Sequence, residues 1–150
     1  MHIFESKKQL ELFVLEKFRI IIEKYDLRLQ VVNEYRFLLF HKTYALDIAS
    51  DRESFEMDYV ENYSCIGLQR ISFRYLRDIR KMPLDLSVDF GLQLGFDNYS
   101  SLRTLAYKLE NYCDDLLSGD KSWINREKFV PDFVPPWLKV YFEGKLLSTN

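Results

Sequence analysis

Apolar residues recur along this chain with two different periods, and the changes of period mark its elements. Leu10, Phe13, Val14, Phe18, Ile21 and Tyr25 follow helical spacing, with Ser6 and Gln9 forming a capping box ahead of them. A first helix is therefore predicted from about Lys7 to about Tyr25, with Lys8, Glu16, Arg19 and Glu23 on its wet face. From Leu27 to Val60 the period falls to two. Leu27, Leu29 and Val31, then Tyr44, Leu46 and Ile48, then Phe55, Met57 and Tyr59 each share a face, which predicts an antiparallel meander.

The apolar pattern also selects registers. A three-residue loop at Asn33 to Tyr35 pairs Leu29 and Val31 with the apolar set of the next strand, and a turn at Lys42-Thr43 sets Leu39 opposite Leu46. A turn at Asp51-Arg52 sets Ile48 opposite Phe55, Leu46 opposite Met57 and Asp47 opposite Glu56. The strand Arg36 to His41 is apolar on both sides, with Phe37 and Leu39 on one and Leu38 and Phe40 on the other. A later element must cover its second face.

Beyond the meander, Leu68, Ile71, Tyr75, Ile79 and Met82 fit a helix, although Ile71, Phe73 and Tyr75 also alternate like a strand; the longer match predicts helix. Leu84 to Phe96 alternates and reads as an extended segment or edge strand weakened by Gly91 and Gly95. Asp97 or Asn98 can cap a further helix with the stripe Leu102, Leu105, Ala106, Leu109, Cys113 and Leu116, stopped at Gly119. Asp120 can cap a short helix through Trp123 and Ile124, before Pro131, Pro135 and Pro136 interrupt regular structure. The tail keeps Phe129, Phe133, Trp137, Tyr141 and Phe142. They serve either to cover the second face of strand Arg36 to His41 or as an exposed aromatic anchor patch. The expected fold is α+β, one domain over residues 1–150, with an N-terminal helix, a meander of about four strands and two or three C-terminal helices packed on the sheet.

Charge and cysteine content narrow the function classes. Lys+Arg 21 against Asp+Glu 23 provides no overall basic field for a nucleic-acid backbone or an anionic membrane. Cys65 and Cys113 are too few and too far apart for a disulfide framework or a zinc ribbon. The N-terminus reaches Glu5 before an apolar run develops, and no run approaches the roughly 18 residues of a membrane span. A cytoplasmic location is expected, and the acceptor patterns at Asn62 and Asn98 are set aside as chance. No cofactor is expected.

Candidate chemistry concentrates in residues 47 to 61. Asp47, Asp51, Glu53, Glu56, Asp58 and Glu61 are offset only by Arg52, and like charges on facing strand positions are destabilising. Three readings follow: neutralisation by Arg36 or by a later arginine, a surface for a basic partner protein, or a divalent-metal site. Arg70, Arg74, Arg77 and Lys81 recur at helical spacing as a basic stripe that would neutralise these acids. Asp89-Phe90-Gly91 matches a kinase tripeptide without the rest of that machinery, and Asp114-Asp115 is assigned no role. His2 and His41 are the only histidines; His41 near a turn and Cys113 on a helical apolar stripe read as structural.

A helix, three antiparallel strands and a helix is similar to the core of the restriction-nuclease fold. Asp47 and Glu56-Met57-Asp58 supply acids at matching places, but Asp58 stands where that family carries its catalytic lysine. In size, in the acidic hairpin from Asp47 to Asp58, and in the helix ending Leu116-Leu117-Ser118-Gly119-Asp120-Lys121-Ser122-Trp123, the chain resembles the small acidic immunity proteins that bacteria encode beside toxins. That resemblance implies a non-enzymatic module whose acidic surface, Asp47, Asp51, Glu53, Glu56 and Asp58, occupies a basic site on another protein. The nuclease likeness implies a metal-dependent enzyme as the alternative.

Overall fold

A computed structural model describes residues 4–51, 54–63, 67–80, 98–126 and 132–149. The predicted first helix is two, α1 (Lys7–Lys17) and α2 (Arg19–Lys24), separated at Phe18. Ser6 caps α1 by accepting from the Gln9 amide, and the Gln9 side chain accepts the Glu5 amide, which completes a reciprocal cap. Leu10, Val14, Phe18 and Ile21 are all buried, so the interruption keeps the apolar stripe on the core. Asp26 takes a left-handed conformation just past α2, and the Leu27 amide reaches back to the Ile22 carbonyl, turning the chain into the sheet.

The sheet runs β1 (Arg28–Asn33), β2 (Arg36–Phe40), β3 (Ala45–Asp51), β4 (Ser54–Tyr63), β5 (Gly67–Ser72) in antiparallel order, followed by the short edge strand β6 (Asp132–Phe133). It is larger than the four-strand meander expected. Pairs Leu29 with Leu39, Val31 with Phe37, and Leu39 with Leu46 match the predicted registers. The β3–β4 hairpin differs: Ile48 faces Met57, Leu46 faces Tyr59 and Asp47 faces Asp58, because the pairing starts at Asp51 with Ser54. A slip of two positions preserves which face every side chain occupies, so the apolar pattern cannot distinguish the two registers.

Residues 68–82 do not form the predicted helix throughout. The strand-like alternation wins up to Ser72, and α3 (Phe73–Arg80) follows, with the Ser72 hydroxyl accepting from the Arg74 amide at the junction. Pairing of Asp58 through Tyr63 with β5 supplies backbone hydrogen bonds that a lone helix there would forgo. Arg70 therefore lies on a strand and Arg74 on a helix, and the basic stripe does not exist as one face.

α4 (Asn98–Tyr112) and α5 (Asp114–Leu117) carry the predicted stripe, and Leu102, Leu105, Ala106, Leu109, Cys113 and Leu116 are buried with α1 and α2 against the inner face of the sheet. Gly119 ends this segment at φ +95, and a side chain there would meet the His41 ring at 3.1 Å. The short helix expected after Asp120 is instead a turn, in which the Asp120 carboxylate accepts from the Ser122 amide and hydroxyl.

The remaining chain is a strap over the outer face: β6, then α6 (Pro136–Lys139), then β7 (Ser148–Thr149) in parallel with the end of β4. Val134, Leu138, Phe142 and Leu146 cover Leu38, Phe40, Ala45 and Val60. This is the cover that the two-sided strand β2 required. The tail aromatics divide: Phe142 is buried in the cover and Tyr141 packs partly against it, while Trp137 is 55% and Phe133 83% exposed. The extended segment Leu84 to Phe96, with Asp89-Phe90-Gly91, lies outside the described residues, as do His2, Glu53, Cys65, Lys81 and Phe129.

Candidate functional site: a charge band on the outer face

The outer side of the sheet is apolar only where the strap covers it. Toward the other end, alternation places Arg36 on β2, Asp47 on β3, Asp58 on β4, Arg70 on β5 and Asp132 on β6, a charge band across five strands. Asp47 is 3% exposed, and Arg36 Nη1 donates to both its carboxylate oxygens at 2.6 Å. Burial pushes the Asp47 carboxyl upward while Arg36 pulls it back. Of the two neutralising candidates in the sequence, Arg36 pairs with Asp47.

Asp58 is less well served. Arg70 lies 3.8 Å from Asp58 and 3.7 Å from Asp132, so one guanidinium is shared by two carboxylates without closing on either. Burial raises Asp58 to about 6, against the attraction of Arg70 and with the Asp47 charge adding to the rise. Glu56 is exposed and only 3.8 Å from the equally exposed Arg74. Asp51 closes β3 opposite Ser54. Trp137 leans over the Arg36 guanidinium, 5.0 Å from its ring centroid, and leaves the rest of its indole in solvent beside exposed Val140. Phe133 pairs in register with inward-facing Gln69, which assigns it to the opposite side of the edge strand.

Glu61 does not join this surface. The alternation through Phe55, Met57 and Tyr59 carries it to the inner face, where it is fully buried. Arg126 Nη1 stands 2.7 Å from its Oε1 as an ion pair, Arg126 Nη2 donates to Oε2 at 3.4 Å, and Lys121 Nζ is 3.9 Å away. Lys121 also donates to the Thr43 carbonyl at 2.9 Å and to the Tyr59 hydroxyl at 2.5 Å. Burial pulls the Lys121 amine down to about 8, with the Arg126 charge adding to the fall and Glu61 opposing it.

The chain matches no family model, no curated protein and no solved structure. Function must be inferred from the sites alone. Among the described residues no three or more His, Cys, Asp or Glu gather as metal ligands, and the Asp47 oxygens that a nuclease-like metal would need are both held by Arg36. His41 stacks on Tyr44 at 4.6 Å and its Nδ1 meets the Thr43 amide and hydroxyl; burial and Lys121 lower its pKa. Cys113 is buried and its thiol is pushed up to about 12, an inert core group. Asp115 pairs with Arg80, which holds its carboxyl low, and Asp114 accepts from the Tyr25 hydroxyl. Among the described residues no helix is long and apolar enough to cross a membrane.

The sequence signals for Trp137 and for the Lys121–Arg126 pair were weak. Trp137 stood among the tail aromatics without a partner, and neither cation belonged to a charge run.

Proposed function

We propose that this protein is a protein-binding module that receives a basic partner on the strap-side end of the outer charge band. The observation that carries this reading is the sharing of Arg70 by Asp58 and Asp132 at one end of a charge band whose Arg36 is flanked by the half-exposed Trp137. A partner lysine or arginine brought to this edge would supply a second cation for the two carboxylates that share Arg70, and Trp137 with Val140 offers apolar area on the same strap. Aromatic anchors next to a charged rim are the composition of interface hot spots, and charge complementarity sets encounter rate and partner choice. Inhibition of the partner by occupying its basic site is the form implied by the likeness to immunity proteins. The acids that would contact the partner are Asp58, Glu56 and Asp132; Asp47 supports them from beneath through Arg36.

The test is affinity capture from a lysate of the native source with four tagged proteins: wild type, Glu56→Lys/Asp132→Lys, Trp137→Ala, and Glu11→Lys on α1 as a distant control. A stoichiometric basic protein held by wild type and control but lost from the other two supports the reading. Capture of the same protein by all four overturns this location, and capture of none by any overturns a stable protein partner.

A further inference from the structure

A second cluster, on the inner face at the far end of β4, has an unbalanced inventory. Glu61 contributes one carboxylate, fully buried, and two cations converge on it, with the Lys121 and Arg126 side chains 17% and 28% exposed. The Lys121 ammonium has three donor hydrogens, of which the Thr43 carbonyl and the Tyr59 hydroxyl take two. Arg126 has five, and among the described residues it meets Glu61 and, through the guanidinium face, the Tyr63 ring at 4.0 Å.

Trp123 adds an independent observation. Its ring packs edge-on to Tyr59 with centroids 4.9 Å apart, and Lys121 Nζ lies over the same Tyr59 ring at 5.1 Å from its centroid. Among the described residues the Trp123 Nε1 is buried without a hydrogen-bond partner, as is the Glu61 Oε1. A buried donor left unpaired costs about 1–3 kcal/mol, and native structures keep few of them. Among the described residues the cluster around Tyr59 and Glu61 therefore sets two cations against one carboxylate and leaves two buried polar atoms, the Trp123 indole N–H and the Glu61 Oε1, without a hydrogen bond. Tyr44, stacked on Tyr59 at 5.4 Å and bonded to the Leu117 carbonyl, fixes the ring platform from below.

We propose that Lys121, Arg126 and Trp123 form a binding site for a phosphate-class oxyanion. Four oxygens around one centre suit donors that arrive from several directions, and Arg with Lys is the usual pairing for such a group. Burial is the main cause of the low value of the Lys121 amine, with the neighbouring Arg126 charge adding to it and Glu61 opposing it. Both cations sit on the segment after Gly119, so the site depends on the turn that Asp120 builds rather than on the charge band of the outer face.

The chain has two tryptophans, and Trp137 on the strap serves as an internal reference. Inorganic phosphate is titrated into ¹⁵N-labelled full-length protein at constant ionic strength, with the indole resonances followed. The expected result is a saturable shift of the Trp123 indole with Trp137 unmoved. Lys121→Met should weaken binding at least tenfold. Trp123→Phe, which keeps the ring and removes the N–H, should weaken it several-fold with an otherwise wild-type amide spectrum. No saturable shift, equal shifts at both indoles, or unchanged affinity in Trp123→Phe would each overturn the site. Acetate binding as tightly as phosphate would overturn the phosphate class.

Discussion

Asp47 and Glu61 are both buried carboxylates on neighbouring strands of one sheet, and they are balanced in opposite ways. Asp47 faces outward and is satisfied by Arg36, eleven positions away on the adjoining strand, through two hydrogen bonds of 2.6 Å. Glu61 faces inward and is paired with side chains about sixty positions later, one of them Arg126 at a separation of sixty-five, while its Oε1 makes no hydrogen bond among the described residues. The first pair is a property of a hairpin. The second exists only when the turn after Gly119 docks on the sheet, so it couples the C-terminal half of the chain to β4. A buried carboxylate can thus report either local register or long-range assembly, and its partner's distance in sequence says which.

The strongest way to break the comparison is to remove the long-range charge. Glu61→Gln leaves Lys121 and Arg126 facing each other without their anion, and is expected to cost about 3 kcal/mol in chemical denaturation at pH 7. A loss under about 1 kcal/mol would mean that solvent reaches both cations freely. Arg36→Ala should cost somewhat less, about 2 kcal/mol, because Asp47 can take up a proton once its partner is gone. That loss should shrink as pH falls; a pH-independent loss would assign it to packing with Trp137 instead.

Asp58 sharpens the contrast within the band itself. Its folded value of about 6 lies above the ordinary 3.8, so the stability it contributes is full below about 3.8 and lost as pH rises through about 6. Asp58→Asn should therefore stabilise at pH 7 by roughly 1 kcal/mol, discounted for partial exposure, and match wild type near pH 3.5. Lys121 has the opposite sign. Its value is lowered to about 8, so its contribution is present above about 10.5 and lost as pH falls through about 8. Wild type should gain stability relative to Lys121→Met between those limits, read from urea midpoints in phosphate-free buffer. The smallest effect belongs to Arg74→Ala: its exposed pair with Glu56 should change stability by less than about 0.5 kcal/mol in thermal melts.

Most of the sheet was legible because alternation is a local property. Period two assigned the faces of β1 to β4, required cover on the second side of β2, and placed Leu29 with Leu39 and Leu39 with Leu46. The helical stripe from Leu102 to Leu116 and the stop at Gly119 were equally local. The candidate site was legible only in part. Arg36 was one of two candidate neutralisers of the acidic cluster, but the cross-strand neighbour of Asp47 is Asp58 rather than Glu56.

What the sequence by itself determined is which side chains point to which face, since that follows from φ and ψ one residue at a time. Tertiary structure decided the β3–β4 register, because a two-residue slip leaves every face unchanged and only the hairpin connection distinguishes the alternatives. It decided that residues 67–72 are strand, because the edge of β4 offered hydrogen bonds that the competing helical period could not anticipate. It also decided that Phe142 covers β2 while Trp137 stays in solvent, and that Lys121 and Arg126 converge on Glu61. Those contacts join segments whose separation along the chain carries no periodic signal, so they arise only when the strap and the turn dock on the finished sheet.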